Sequence, residues 1–268
     1  MHNNVNGDNE VTAVRTMATT LLDFWHKRVA SDKIETTAVD VAGMFLLART
    51  REFFQAAVEL LGVSFAAPVA IAVLARAQLE SAANLLVILN SKLSAEAKKN
   101  LAESFIRFGE FNHVRSLEDD LDDYRASLSP TEQGNLDRRI EVSTEVQSTF
   151  TPEQERQGRY PTWNGKSITQ TIVETGGDGA RRWYSLMSLI AHGDPCMLHK
   201  SLTITENEFR LFQRDYGVTD AAYWVNRMGK QLFACLLVFL TRNGEIEVDD
   251  EIKRVYQTLG IEQSHVND

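Results

Sequence analysis

The chain has 268 residues, 43% hydrophobic and 24% charged, with 15 glycines and 5 prolines. That composition excludes a collagen-like, low-complexity or wholly disordered chain, and the length allows one large core or two small ones. A formal net charge of −9 and a pI near 5.3 argue against bulk binding of DNA, which usually requires the opposite balance, but leave room for a local basic site.

Residues 1–9 read as a disordered tail, followed by a single helical domain over 10–262. From Glu10 to Ala30, apolar residues recur at steps of three and four, the mark of an amphipathic helix. A second helix is expected from about Glu35 to Leu61, with Gly62 as its C-cap. Pro68 opens a third, reaching about Asn90 and apolar on most sides, so it belongs at the centre of the fold. Ser94 begins a fourth, expected to pass Tyr124, and Ser129-Pro130-Thr131-Glu132 is a capping box that starts a fifth. Thr151-Pro152-Glu153-Gln154 repeats the start signal, and residues 158–166 form an irregular loop carrying Tyr160 and Trp163. A short helix follows from Ser167 to Thr175. Asp178 caps another that ends at Gly193, with Pro195 beyond. A small β-hairpin is expected near 202–212, then a strong helix from Thr219 to Arg242 and a short one from Asp249 to Leu259. The fold class is therefore all-α, a multi-helix bundle with one possible hairpin.

Two cysteines, Cys196 and Cys235, form no CxxC pair; Cys235 lies in an apolar run and reads as a buried structural thiol. The first ten residues lack the basic and apolar regions of a signal peptide. The longest apolar runs, Phe65–Ala75 and Leu232–Leu240, are too short to span a bilayer. The expected location is the cytoplasm, with no membrane partner.

The polar residues of the third helix are informative. At about 100° per residue, Arg76, Glu80 and Asn84 form one row on an otherwise apolar rod. A buried charge needs a partner, and Arg76 and Glu80 can pair at i,i+4. The helix that ends at Gly193 carries a matching row of Arg181, Tyr184, Ser188 and His192, with His192 in the last turn, where the helix dipole favours its protonated form. Two polar rows in an apolar bundle should meet, which would bring Arg76, Glu80 and Asn84 near Tyr184, Ser188 and His192. Such a set could do acid–base work or could hold helices together.

Arg76-x-x-x-Glu80-x-x-x-Asn84, Tyr184-x-x-x-Ser188-x-x-x-His192-Gly193, and the loop residues Trp163 and Lys166-Ser167-Ile168 together resemble a bacterial helical family of unknown function, loosely HEPN-like, over roughly residues 40–200. The resemblance implies a helical fold and roles in toxin–antitoxin or phage-defence systems. HEPN proteins are often metal-independent ribonucleases that act as dimers through an Arg-(four to six)-His motif. On that basis the partners are a second copy of the chain, RNA or an antitoxin, and no cofactor or metal is implied. Arg107 and His113 have the nominal spacing and form an alternative catalytic pair. On one unbroken helix they point about 120° apart, so a kink at Gly109 would be needed.

Other patterns are weaker. Asp119-Asp120-Leu121-Asp122-Asp123 formally matches the magnesium–diphosphate motif of helical transferases, but reads more simply as a solvated acidic face. His192, His199 and Cys196 lack zinc-like company, and Gly176–Gly179 matches neither a P-loop nor a dinucleotide fingerprint. Three function classes follow: a HEPN-like ribonuclease or toxin acting through Arg76, Glu80, Tyr184, Ser188 and His192, with Asn84, Arg181 and Trp163 binding; a non-catalytic helical module for a partner protein or small ligand; and, remotely, a Mg²⁺-dependent helical transferase.

Overall fold

The computed structural model describes residues 5–32, 34–61, 67–117, 120–157, 162–192, 202–205, 208–211, 218–242, 244 and 246–261. Ten helices and one hairpin appear among them. In chain order they are α1 (Val5–Ser31), α2 (Ala38–Leu60), α3 (Ala67–Ile88), α4 (Ala95–Ser116), α5 (Leu121–Ala126), α6 (Pro130–Gln147), α7 (Pro152–Gln157), α8 (Ile168–Ala191), β1 (Leu202–Thr205), β2 (Glu208–Leu211), α9 (Val218–Leu240) and α10 (Asp250–Thr258). The two strands pair antiparallel, Leu202 opposite Leu211 and Thr205 opposite Glu208. The fold is all-α, with the hairpin as its one departure among the described residues.

Local chemistry sets the helix starts. Thr37 accepts the backbone N–H of Asp40, Ser94 that of Ala97 and Ser167 that of Gln170, while Asp249 accepts those of Glu251 and Ile252. At α6 the Glu132 carboxylate returns to the Ser129 N–H at 2.9 Å. Three boundaries differ from the sequence reading. α1 begins at Val5, inside the stretch expected as tail. α4 ends at Ser116, and residues 121–126 form a helix of their own. The helices expected on either side of Gly176-Gly177 run together as α8, kinked at Gly177, whose φ of 66° and ψ of −168° belong to a region only glycine enters easily. Gly62, Asp119, Tyr160, the segment Gly193-Asp194-Pro195, Cys196 and His199 lie outside the described residues.

α3 is the central helix, packed against α2, α8 and α9, while α1 lies on α9 and α4 lies on α2 and α6. Its buried side is built largely of small residues, Ala72, Ala75, Ala82 and Ala83, with Ile71, Leu79, Leu85 and Ile88 between them. α2 comes close to α9, where a Cβ at Gly43 would sit 3.1 Å from the Phe239 ring. One continuous hydrophobic cluster runs from Val14 to Leu259 and includes Phe24, Phe54, Phe233 and Phe239, all fully buried. Each such side chain contributes on the order of 1.5–3 kcal/mol. By length and composition the span Val69–Ile88 could cross a membrane, although no uninterrupted apolar run in it is that long; half of it is buried by its neighbours in this fold.

Two buried polar tethers fix how the helices sit. Gln78, wholly buried, donates to the backbone oxygens of Thr50 at 3.2 Å and Met228 at 3.1 Å, tying α3 to α2 and α9. Arg242, just past α9, pairs with Asp40 at 2.5 Å and Asp32 at 2.8 Å; its side chain is 2% exposed and that of Asp40 5%. It also donates to the Phe239 oxygen and stacks on the Phe239 ring, 3.9 Å from its centroid.

Candidate functional site

The two polar rows meet where α3 crosses the C-terminal half of α8, and Arg76 is the hub. Its Nη1 lies 2.9 Å from His192 Nε2, its Nη2 donates to the Tyr184 hydroxyl at 3.3 Å, and its Nε lies 3.2 Å from Glu80 Oε1. The last approach is an ion pair without hydrogen-bond alignment, so Arg76 Nε has no hydrogen-bond partner among the described residues. Tyr184 completes the ring by donating to Glu80 Oε1 at 3.0 Å, while its aromatic face lies 5.4 Å from the guanidinium carbon.

Electrostatics and exposure follow from this geometry. A guanidinium has only donors, so the hydrogen bond to His192 requires a neutral imidazole with its Nε2 lone pair toward Arg76. The protonated form favoured by the dipole argument does not suit this contact. The hydrogen bond to Tyr184 is the largest influence on Arg76 and raises its pKa, with Glu80 adding to it against the cost of burial. Burial raises the Tyr184 phenol above its ordinary range, against the hydrogen bond from Arg76, so at neutral pH it keeps the proton it gives to Glu80. The Arg76 and Glu80 side chains are 27% and 35% exposed, so the expected buried pair is instead a half-buried pair at the edge of the core. Tyr184 forms the cluster's floor at 8% exposure, and His192, the C-cap of α8, forms its exposed rim.

The other expected residues divide. Asn84, one turn beyond Glu80, accepts the indole N–H of Trp163 at 3.2 Å, and Ser104 donates to the Trp163 backbone oxygen at 2.6 Å. The Ser188 hydroxyl is buried on α8 and has no hydrogen-bond partner among the described residues. Arg181 is exposed and paired with Asp178 at 3.3 Å, outside the cluster. Arg107 and His113 are not brought together. α4 carries no kink at Gly109. Arg107 reaches Glu145 at 2.6 Å, whereas His113 faces a separate cavity of about 150 Å³ with Tyr124 and Arg139. Among the described residues no three His, Cys, Asp or Glu side chains could hold a metal ion.

A larger cavity, of about 460 Å³, opens between α4, the end of α6 and the loop at 162–163. Glu103, Ser104, Arg107, Phe108, Phe150 and Trp163 are among its walls. Trp163 belongs to both places, since it lines the cavity and its indole N–H reaches Asn84 on the polar row.

Sequence reasoning missed Gln78, Asp40, Asp32 and Arg242. Gln78 carried a signal, as a lone polar residue on the otherwise apolar face opposite Arg76. Asp40 and Arg242 are about two hundred positions apart, and no spacing rule links them.

An all-α chain with an arginine-centred cluster at a helix crossing is the class that fold and site define. By sequence the chain belongs to a family of unknown function, DUF5677, whose model matches residues 40–209. That span runs from the start of α2 into β2 and contains both the cluster and the cavity, in agreement with the resemblance to a helical family of unknown function. No curated protein and no solved structure matches the chain.

Proposed function

We propose that the cluster is the active site of a metal-independent ribonuclease, HEPN-like in kind, acting as a homodimer in the cytoplasm within a toxin or phage-defence system. One observation carries the reading: a single half-buried guanidinium touches a histidine, a phenol and a carboxylate at once, on the rim of the fold. An RNA phosphate is a stronger partner for a guanidinium than a neutral imidazole is. Its arrival would draw Arg76 off His192 and free the Nε2 lone pair. His192 then takes the proton of the 2′-hydroxyl, O2′ attacks phosphorus, and the P–O5′ bond breaks, with O5′ leaving as an alcohol protonated by solvent water. Arg76 balances the added charge on the phosphorane, and Glu80 and Tyr184 hold Arg76 in line.

The test is cleavage of single-stranded RNA by EDTA-treated protein, with 2′-deoxy RNA as the inert control. His192→Ala should lose about 10²–10⁴-fold in rate, and His113→Ala should lose nothing. In cells the same His192 change should remove toxicity. No cleavage by the native protein, or equal cleavage after His192→Ala, overturns the reading.

A second reading, a non-catalytic module binding a protein or small ligand, is favoured by the closure of the ring: Nη1 and Nη2 of Arg76 both have partners before any ligand arrives. It predicts a folded protein without RNA cleavage.

A further inference from the structure

The 460 Å³ cavity has the size of a small-ligand pocket. Its aromatic walls are braced. Trp163 is held edge-on by Phe105, with centroids 5.4 Å apart, and Phe150 edge-on by Phe111 at 5.2 Å. Rings fixed in this way offer a flat ligand a surface to stack on without reordering side chains. The charged walls are a donor fork and an acceptor one turn apart on α4, Arg107 and Glu103, with Glu145 paired to Arg107. Residues four apart on a helix have Cβ atoms about 5–6 Å from each other, so both side chains can reach adjacent edges of one heterocycle. The present partners yield easily. The Arg107–Glu145 pair is half exposed on each side, and Glu103 is 4.0 Å from Lys99. Exposed pairs of this kind hold weakly.

An anion would face Glu103 in the wall and an Arg107 already paired with Glu145, so a phosphate does not suit the pocket. A neutral flat base does, and the edges select among bases. Guanine places two acceptors, O6 and N7, directly beside two donors, N1–H and the 2-amino group. Adenine has no 2-amino donor, and the pyrimidines have no N7. We infer that the cavity binds a guanine base, with Arg107 donating to O6 and N7 and Glu103 accepting from N1–H and the 2-amino group. Trp163 links this pocket to Asn84, which lies about 6 Å along α3 from Glu80. If the ribonuclease reading holds, cleavage therefore falls beside guanosine; the binding itself does not depend on that reading.

The experiment is calorimetric titration of the full chain, treated with EDTA, with guanosine, inosine and adenosine 5′-monophosphates. Guanosine monophosphate should bind saturably. Inosine monophosphate, which lacks the 2-amino group, should bind about tenfold weaker or worse. Glu103→Gln should erase that difference, and Arg107→Ala should weaken both ligands, with circular dichroism unchanged because both side chains are exposed. Absence of saturable binding, equal binding of all three nucleotides, or discrimination that survives Glu103→Gln overturns the inference. The native protein, assayed both for nucleotide binding and for RNA cleavage, separates the two proposals. Guanosine monophosphate binding by native protein that cleaves no RNA leaves this inference standing and removes the ribonuclease. Cleavage indifferent to base, with no nucleotide binding, does the reverse.

Discussion

At Arg76, one side chain takes part in four interactions, and its surroundings decide what each is worth. Glu80 is about a third exposed, so water can solvate whatever a substitution leaves behind. The 3–5 kcal/mol loss typical of a broken buried pair therefore does not apply here. Tyr184→Phe keeps the ring and removes only the hydroxyl between Arg76 and Glu80, and should cost about 1 kcal/mol in urea denaturation. A loss several times larger would mean that the cluster closes off from water. Cys235 behaves differently. Burial pushes its thiol from an ordinary 9.0 up to about 12. Its folded pKa is raised, so the stability it protects is whole below pH 9 and is lost as pH rises toward 12, because only the unfolded chain ionises there. The slope is about 1.4 kcal/mol per pH unit. Denaturation at pH 8.5, 9.5 and 10.5 should show a flatter decline in Cys235→Ala than in the native chain, whatever the offset between the two curves. Parallel curves would show that the thiol is reached by water.

Among the elements, α8 carries both a full capping box and a sharp internal kink. Ser167 and Gln170 close its first turn, and ten residues on, Gly177 bends it. The bend lets the first part of the helix, with Ile172 and Thr171, stay buried while the second part turns Trp183, Tyr184 and Met187 inward. At φ 66° and ψ −168° a side chain is strained even though nothing lies within 4 Å of the Cβ site. Gly177→Ala should therefore cost about 1–3 kcal/mol, while Gly179→Ala, in the helical stretch beyond, should be neutral or stabilising. Equal effects in thermal denaturation would place the bend elsewhere. If the cluster is catalytic, the same Gly177 change should lower activity, since it re-aims the half of α8 that carries Tyr184 and His192.

For the whole molecule, the tether that matters is Arg242 with Asp40 and Asp32, which joins the end of α9 to the start of α2 and the chain just after α1. Arg242→Ala strands two carboxylates, one almost wholly buried, and should cost roughly 3–5 kcal/mol. Arg107→Ala, at a half-exposed pair, should cost less than about 1 kcal/mol. Similar losses for the two variants would show that the Arg242 pocket is wet. The candidate site depends on this scaffold, because α3 is positioned by α2 and α9 as well as by α8.

The sequence by itself determined the helical class and most helix starts, since caps and three-to-four periodicity are local signals. It determined the two polar rows as well: Arg76, Glu80 and Asn84 repeat every turn of α3, and Tyr184 and His192 stand on one side of α8. That the rows must meet followed from the cost of leaving them alone in an apolar bundle. Only the tertiary structure decided how they meet. Arg76 became the hub, Ser188 fell outside the network, Asn84 was taken by Trp163, and the buried ion pair turned out to be Arg242 with Asp40. Arg107 and His113 were close in sequence yet came to face separate cavities, because they lie on different sides of a straight helix. The physical reason is common to all of these. Periodicity tells which side of a helix a residue occupies, whereas its partner and its exposure depend on which helices cross there, and that is settled by packing between segments far apart in the chain.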